Sequence, residues 1–295
     1  IYPQKWSVSS CHMTKFDETH EHLLTRNLKM YSLNCQREER MLELLFFTVC
    51  LLACTAGSIC GIGGGVIIKP VLDATGVMSV TSISFLSGCT VLSMAVVSVY
   101  KALKNKTASI DLKLATYLAL GACVGGITGK MLFDQIKQVT GNDDQVGLIQ
   151  AIVLVIITVG TIVYTLKKEQ IKTCHFKNLF VSLIIGFLLG MMSSFLGIGG
   201  GPINLVVLGF FFSMKTKEAA LCSVYIILFS QLSSFLQTVL TNNIPSFEIT
   251  TLIVMIAGGI LGGFIGSFVN KKISTKNVDK LFILLMVIIV FINFY

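Results

Sequence analysis

Charge is scarce in this sequence: 13% of its 295 residues are Asp, Glu, Lys or Arg, against 54% hydrophobic. A soluble domain of this length cannot hide so much apolar surface behind so few charges, so a water-soluble globular protein is excluded. Arginine is missing after Arg40, and all 17 basic residues from Met41 onward are lysines. His175 is the one histidine in the same stretch, in a basic linker where it is expected to be solvated. With no H-E-x-x-H and no acid pair inside an apolar run, an intramembrane enzyme has nothing to work with, and no catalytic residue is assigned. No carboxylate, histidine or thiol cluster lies at depth either, as a carrier of metals or other cations would need. The nine cysteines show no C-x-x-C or ligand spacing. Cys50, Cys54, Cys60, Cys89, Cys123 and Cys222 lie in apolar segments as small hydrophobes, so neither a disulfide framework nor a metal site is expected. The glycine clusters lack a following Lys-Ser/Thr, which excludes a nucleotide-binding loop and leaves no cofactor to assign.

What the chain does have is long runs nearly free of charge: Val77–Val99, Leu114–Gly129, Leu148–Leu166, Leu179–Ser213, Ala219–Leu240, Ile249–Val269 and Leu281–Tyr295. Most reach or approach the roughly 17–25 residues that cross a bilayer as helix, so the partner is the lipid bilayer and the class is an all-α polytopic membrane protein. The formal charge of +8 then orients the chain in the membrane, and nucleic acid is not a partner. Residues 1–40 differ in kind. They hold the single Trp, three of the four His and all three Arg. They also lack the apolar core of a signal peptide. They are expected to be an upstream extension outside the fold, the alternative being a cytosolic tail.

Ser58-Ile-Cys-Gly61-Ile-Gly63-Gly64-Gly65 recurs, at an offset of 136, as Ser194-Phe-Leu-Gly197-Ile-Gly199-Gly200-Gly201. Gly121/Gly125/Gly129 recurs, at an offset of 137, as Gly258/Gly262/Gly266. Asp111, two after Ser109, is matched by Glu248, two after Ser246. Three landmarks at nearly one offset define two repeats, 41–166 and 179–295, joined by a basic linker at 167–178. Each repeat holds one Gly-broken segment and three further apolar helices.

The lysines choose the topology. If each broken segment crosses once, the two faces share them evenly. If each dips in and returns to its own face, Lys101–Lys113, Lys167–Lys177, Lys215–Lys217 and Lys271–Lys280 collect on one face, 14 against 3. The positive-inside rule favours the second arrangement. Equivalent loops also swap character: 101–113 is lysine-rich while 241–248 has none, and 130–144 is mixed while 271–280 is basic. The expectation is two inverted repeats with re-entrant or discontinuous Gly-broken segments, basic loops in the cytoplasm and both core termini outside.

Glycine costs roughly 1 kcal/mol against Ala in a helix interior, so four in five residues break the helix. Unwound backbone survives in a membrane only where protein or a watery cavity surrounds it. The helices restarting near Val66 and Pro202 would offer free N–H groups and a positive dipole end to an anion, and Pro202 suits a first turn. Both breaks are expected midway along their segments. The candidate substrate-binding residues are Ser58, Gly61, Gly63, Gly64, Gly65, Ser193, Ser194, Gly197, Gly199, Gly200, Gly201, Pro202 and Asn204. A second layer comprises Lys69, Ser87, Thr90, Ser223 and Gln231. Lys69 could attract an anion, pair with Asp73 or snorkel. The glycines spaced by four are assigned to helix packing, and Asp111 and Glu248 to helix caps.

Two G-x-G-G-G breaks, the first followed by Pro70 five residues on and the second directly by Pro202, resemble the sulfite exporter TauE/SafE family over about 41–295. The resemblance implies a transporter of small sulfur-containing anions, of the sulfite or organosulfonate class, in the cytoplasmic (cell) membrane. The expected function is a secondary transporter, exporting such an oxyanion by alternating access, with a proton or sodium as candidate coupling ion. The alternatives are a carrier of another small anion and a membrane scaffold. Oligomeric state is not read from the sequence.

Overall fold

The computed structural model describes residues 18–105, 111–141, 143–168, 170–176 and 178–294, with backbone alone for helical residues 18–36, 38, 39, 105, 143, 144 and 294. Expectations placed on residues 1–17 and on Lys106, Ser109 and Lys177 lie outside the described residues. Two compact units divide the chain, Ile1–Leu44 and Leu45–Tyr295. In the first, the described backbone is helical from Glu18. The second holds both glycine breaks and the apolar helices around them.

Among the described residues every regular element is an α-helix: α1 (Glu18–Cys60), α2 (Gly65–Thr75), α3 (Val80–Asn105), α4 (Leu112–Thr140), α5 (Asp143–Lys167), α6 (Leu179–Leu196), α7 (Pro202–Phe212), α8 (Thr216–Leu240), α9 (Ile249–Lys272) and α10 (Thr275–Phe294). Seven of them contain a stretch long and apolar enough to cross a membrane: Arg40–Cys60 of α1, then α3, α4, α5, α6, α8 and α9. Large apolar side chains such as Leu120, Val124, Ile156, Val163, Phe264 and Phe268 point outward. Together with the lengths this makes a multi-pass membrane protein. Inside, a core of Leu, Ile, Val, Phe and Met is joined by small residues that let helix backbones approach closely.

The spaced glycines show how. Gly121, Gly125 and Gly129 of α4 lie against the carbonyls of Leu183, Phe187 and Met191 of α6. Both series advance together, so α4 and α6 run parallel. Gly258, Gly262 and Gly266 of α9 meet the carbonyls of Phe47, Leu51 and Thr55 of α1, also in parallel. The two sets correspond position by position: Phe47, Leu51 and Thr55 are the repeat counterparts of Leu183, Phe187 and Met191, at an offset of 136. Each glycine stripe therefore packs on the helix that precedes the other repeat's break, and the sequence-based assignment of these glycines to packing holds. Gly259 and Gly263 likewise meet the carbonyls of Thr90 and Met94, making α3 parallel to α9. Lys137 Nζ donates to Thr81 Oγ1 at 2.8 Å, which sets the C-terminal end of α4 beside the N-terminal end of α3. Hence α1, α3 and α9 run one way and α4 and α6 the other.

Two boundaries differ from the sequence reading. The run expected to stop at Gly129 continues as helix to Thr140, so much of the expected loop 130–144 is the last three turns of α4. The breaks are also not midway. Helix α6, before the second break, has 18 residues, whereas α7 after it has 11, as does α2. At 1.5 Å per residue the short arms reach about 16 Å, about half a hydrocarbon core.

Of the expected caps, Asp111 is realised: its carboxylate accepts from Lys113 N at 3.1 Å and Leu114 N at 3.2 Å. Glu248 occupies the N-cap of α9 but its side chain makes no capping bond, and its carbonyl accepts from Leu252 N. His175 is exposed in the linker, and the seven cysteines whose side chains are described are free thiols, five of them buried.

Candidate functional site

Helix α1 stops at Cys60, where Gly61 N and Ile62 N both reach back to Gly57 O at 2.7 and 3.1 Å, and α2 starts at Gly65. Helix α6 stops at Leu196, with Gly197 N on Ser194 O at 3.2 Å, and α7 starts with Pro202 in its first turn. The chain between is left-handed at Gly61 and Gly63 (φ +76° and +74°) and at all four of Gly197, Gly199, Gly200 and Gly201.

The two breaks touch. A methyl built on Gly63 would lie 2.6 Å from Gly199 O, and one on Gly65 would collide with Ile198 O. At Gly63 only glycine permits both the backbone angle and this approach. Break glycines therefore serve packing as well, a role the sequence alone assigns to the spaced glycines.

A helix that stops inside the protein leaves carbonyls without partners. Ile59 O accepts from Asn270 Nδ2 at 2.5 Å, and Phe195 O from Gln150 Nε2 at 2.5 Å. Ile59 and Phe195 are equivalent positions in the two repeats, but their caps come from non-equivalent helices, α9 and α5. Next to Phe195, Leu196 O accepts from Lys69 Nζ at 3.2 Å, and the same ammonium donates to Gln150 Oε1. Lys69 is thus buried in a polar knot that closes the end of α6. This adds a fourth role to the three expected of it.

Two clefts flank the crossing. The first, about 250 Å3, is lined by Ser58, Ser98, Lys101, Ser267, Asn270 and Lys271 among others. Ser58 Oγ lies 2.9 Å from Ser98 Oγ and 3.3 Å from Ser267 Oγ, a cluster of three hydroxyls one turn before the break. The second, about 40 Å3, is lined by Ser84, Lys130, Ser194, Gly197, Gln231 and Ser234 among others. These clefts are counterparts under the repeat: Ser58 and Ser98 correspond to Ser194 and Ser234, and Ser267 to Lys130. In the second cleft Ser194 Oγ lies 3.4 Å from Ser230 Oγ, and Ser84 Oγ is buried without a hydrogen-bond partner.

Gln231 Nε2 donates to Ser193 Oγ at 3.2 Å, and Asn204 Nδ2 to Ser223 Oγ at 3.2 Å. Asn204 Oδ1 and Ser87 Oγ are buried and unpartnered, with Ser87 beside Gly65. Gly64 is pressed against Cys54, and Gly200 and Gly201 against Ile227 and Ile198. Thr90 turns its hydroxyl back to Leu86 O at 2.8 Å in its own helix. Sequence reasoning misses Lys130, because it ends the apolar run one residue too soon. The four-residue stripe Gly121, Gly125, Gly129 runs on to buried Phe133, and that spacing is the available signal. Ser98 and Ser234 are missed too, although the repeat offset pairs them.

A family model described as Sulfite exporter TauE/SafE matches residues 46–292. No curated protein and no solved structure matches the chain.

Proposed function

The chain belongs to the sulfite exporter TauE/SafE family, a family of membrane transporters for sulfite-type anions, and from that premise we propose a secondary transporter of small sulfur-containing oxyanions working by alternating access. The observation that carries the proposal is the meeting of the two breaks, Gly63 on Gly199 O, with a hydroxyl-lined cleft on either side of it. A contact between two unwound segments can rearrange without dismantling whole helices, and first-turn N–H groups of α2 and α7 supply positive ends there. The substrate route runs from Ser58 past the crossing to Ser194, with Ser193, Asn204, Ser87, Ser223 and Gln231 as the polar shell behind it.

The halves are inverted in this proposal, each broken segment entering from its own face. Support comes from the antiparallel directions of α1 and α6 and from the reciprocal packing of the glycine stripes. Parallel α3 and α9 carry Lys101, Lys104, Lys271 and Lys272 at the same end, and Lys168 binds Asp279 at 2.6 Å where α5 ends and α10 begins. That basic end is assigned to the cytoplasm of the cell membrane by the positive-inside rule. An anion leaving an inside-negative cell gains about 2.3 kcal/mol per charge per 100 mV, so export needs no coupled ion, whereas uptake would need a proton or sodium.

The test is flux of radiolabelled sulfite, thiosulfate and a small organosulfonate in proteoliposomes, with and without proton and sodium gradients. Saturable flux of at least one of these, driven by membrane potential alone, supports the proposal. Their absence alongside flux of a cation would overturn it.

A further inference from the structure

Lys130 lines the smaller cleft, on the face away from the basic loops, three turns inside the end of α4. A cation at that depth is costly unless it is compensated, and cations kept there commonly mark an ion or substrate path. Compensation is visible. Lys130 Nζ lies 2.9 Å from Asp134 Oδ1, with 14% and 26% of the two side chains exposed. It also sits 4.6 Å from the centre of the Phe133 ring. The pair joins two compartments. Lys130 faces the small cleft with Ser194, Gln231 and Ser84, while Asp134 lines an open polar basin of about 670 Å3 formed with Ser79, Lys137, Asn242 and Asn243.

The small cleft is also the narrower of the two, about 40 Å3 against about 250 Å3. An aromatic cluster borders it. Phe85 stacks with Phe235 at 6.1 Å between ring centres and meets Phe247 of the α8–α9 loop at 5.4 Å. The repeat counterparts of Phe85 and Phe235 are Leu221 and Val99, of which Leu221 lines the larger cleft together with Phe268, and the counterparts of Lys130 and Asp134 are Ser267 and Lys271. One cleft thus holds an internal ion pair beside stacked aromatics, and the other holds hydroxyls with lysines among its lining.

Resting on the transport reading above, we propose that Lys130 is the anion's binding counter-charge on the far side of the crossing, held by Asp134 until substrate arrives. A small oxyanion reaching Ser194 and Gln231 takes over the Lys130 ammonium, and Asp134 turns toward the basin water. The exchange favours a ligand that brings negative charge of its own, and a neutral solute of the same size cannot release Asp134.

The test uses the full chain in proteoliposomes with radiolabelled sulfite as probe, and reads KM, maximal rate and thermal unfolding of each variant. Lys130→Gln is expected to raise the sulfite KM at least about tenfold, the loss of one charge-assisted contact, with Lys130→Arg recovering part of it. Asp134→Asn is expected to lower the KM, since the competing carboxylate is gone. The charge swap Lys130→Asp with Asp134→Lys keeps the ion pair but moves the cation out of the cleft, and is expected to stay folded and transport poorly. Full transport by the swap, or an unchanged KM in Lys130→Gln, would show a merely structural pair and overturn the inference while leaving the transport reading intact. If Lys130→Gln does not fold, Asp134→Asn and the swap decide alone. A wild-type chain without anion flux would remove both readings together.

Discussion

Gly63 and Gly199 sit face to face where the two broken segments meet, so close that a methyl on the first would stand 2.6 Å from the carbonyl oxygen of the second. Both hold left-handed backbone angles, +74° and +68°. The crossing therefore has no room for a side chain and no conformational freedom to give one.

Substituting either glycine by Ala should be costly twice over, through a steric clash and through a disfavoured φ. The sum is roughly 2–5 kcal/mol, read as a lowered unfolding temperature in detergent together with loss of transport. Gly160 of α5 meets nothing within 4 Å, so Gly160→Ala should be neutral or stabilising by up to about 1 kcal/mol. Equal effects at the crossing and at Gly160 would mean that the breaks do not touch.

The caps offer a sharper contrast. Asp111→Ala removes two real bonds to the start of α4 and should destabilise by about 1 kcal/mol. Glu248→Ala removes no capping bond and should stay within about 0.5 kcal/mol. Chemical unfolding of the two variants side by side checks this, and a larger effect at Glu248 would contradict the described geometry.

Lys69 lines neither cleft and closes the end of α6 instead. Lys69→Met should therefore destabilise by about 1–3 kcal/mol, the cost of leaving Leu196 O and Gln150 Oε1 short of a donor. The ranking of sulfite, thiosulfate and sulfonate as substrates should not change. A changed ranking at wild-type stability would return Lys69 to the substrate path.

Orientation is open to labelling. On a background with native cysteines replaced, Lys113→Cys and Asn243→Cys, both exposed, should react with a membrane-impermeant thiol reagent from opposite faces. The cytoplasmic face is expected for position 113. Reaction from one common face would contradict the inverted arrangement.

How much of the fold and site is legible in the sequence depends on what each residue has to report. Helical class and membrane setting follow from runs without charge, which is a one-dimensional property. The repeat follows from Ser58 and Ser194 standing at one offset with two further landmarks. The role of Gly121/Gly125/Gly129 is legible because packing needs four-residue spacing. What chain order cannot supply is which surfaces meet across the repeats: that α4 lies on α6 and α9 on α1, and that Gly63 abuts Gly199. Lys130 stays hidden for a different reason. A charge at the edge of an apolar run looks like the start of a loop, and here it is a helical residue facing an interior cleft. Lys69 is visible as a buried cation, but its partners, Gln150 and Leu196 O, are 81 and 127 residues away.

The most direct measurement of the account is counterflow of radiolabelled sulfite into liposomes carrying the purified chain, compared with Ser58→Ala, Ser194→Ala and the double substitution. Those serines occupy the two equivalent clefts, and their side chains make hydroxyl and carbonyl contacts only. The account predicts saturable counterflow for the wild type, a severalfold rise in KM for each single variant and a further rise for the double, with unfolding temperatures close to wild type. Wild-type counterflow unaffected by either serine would contradict a route through the two clefts.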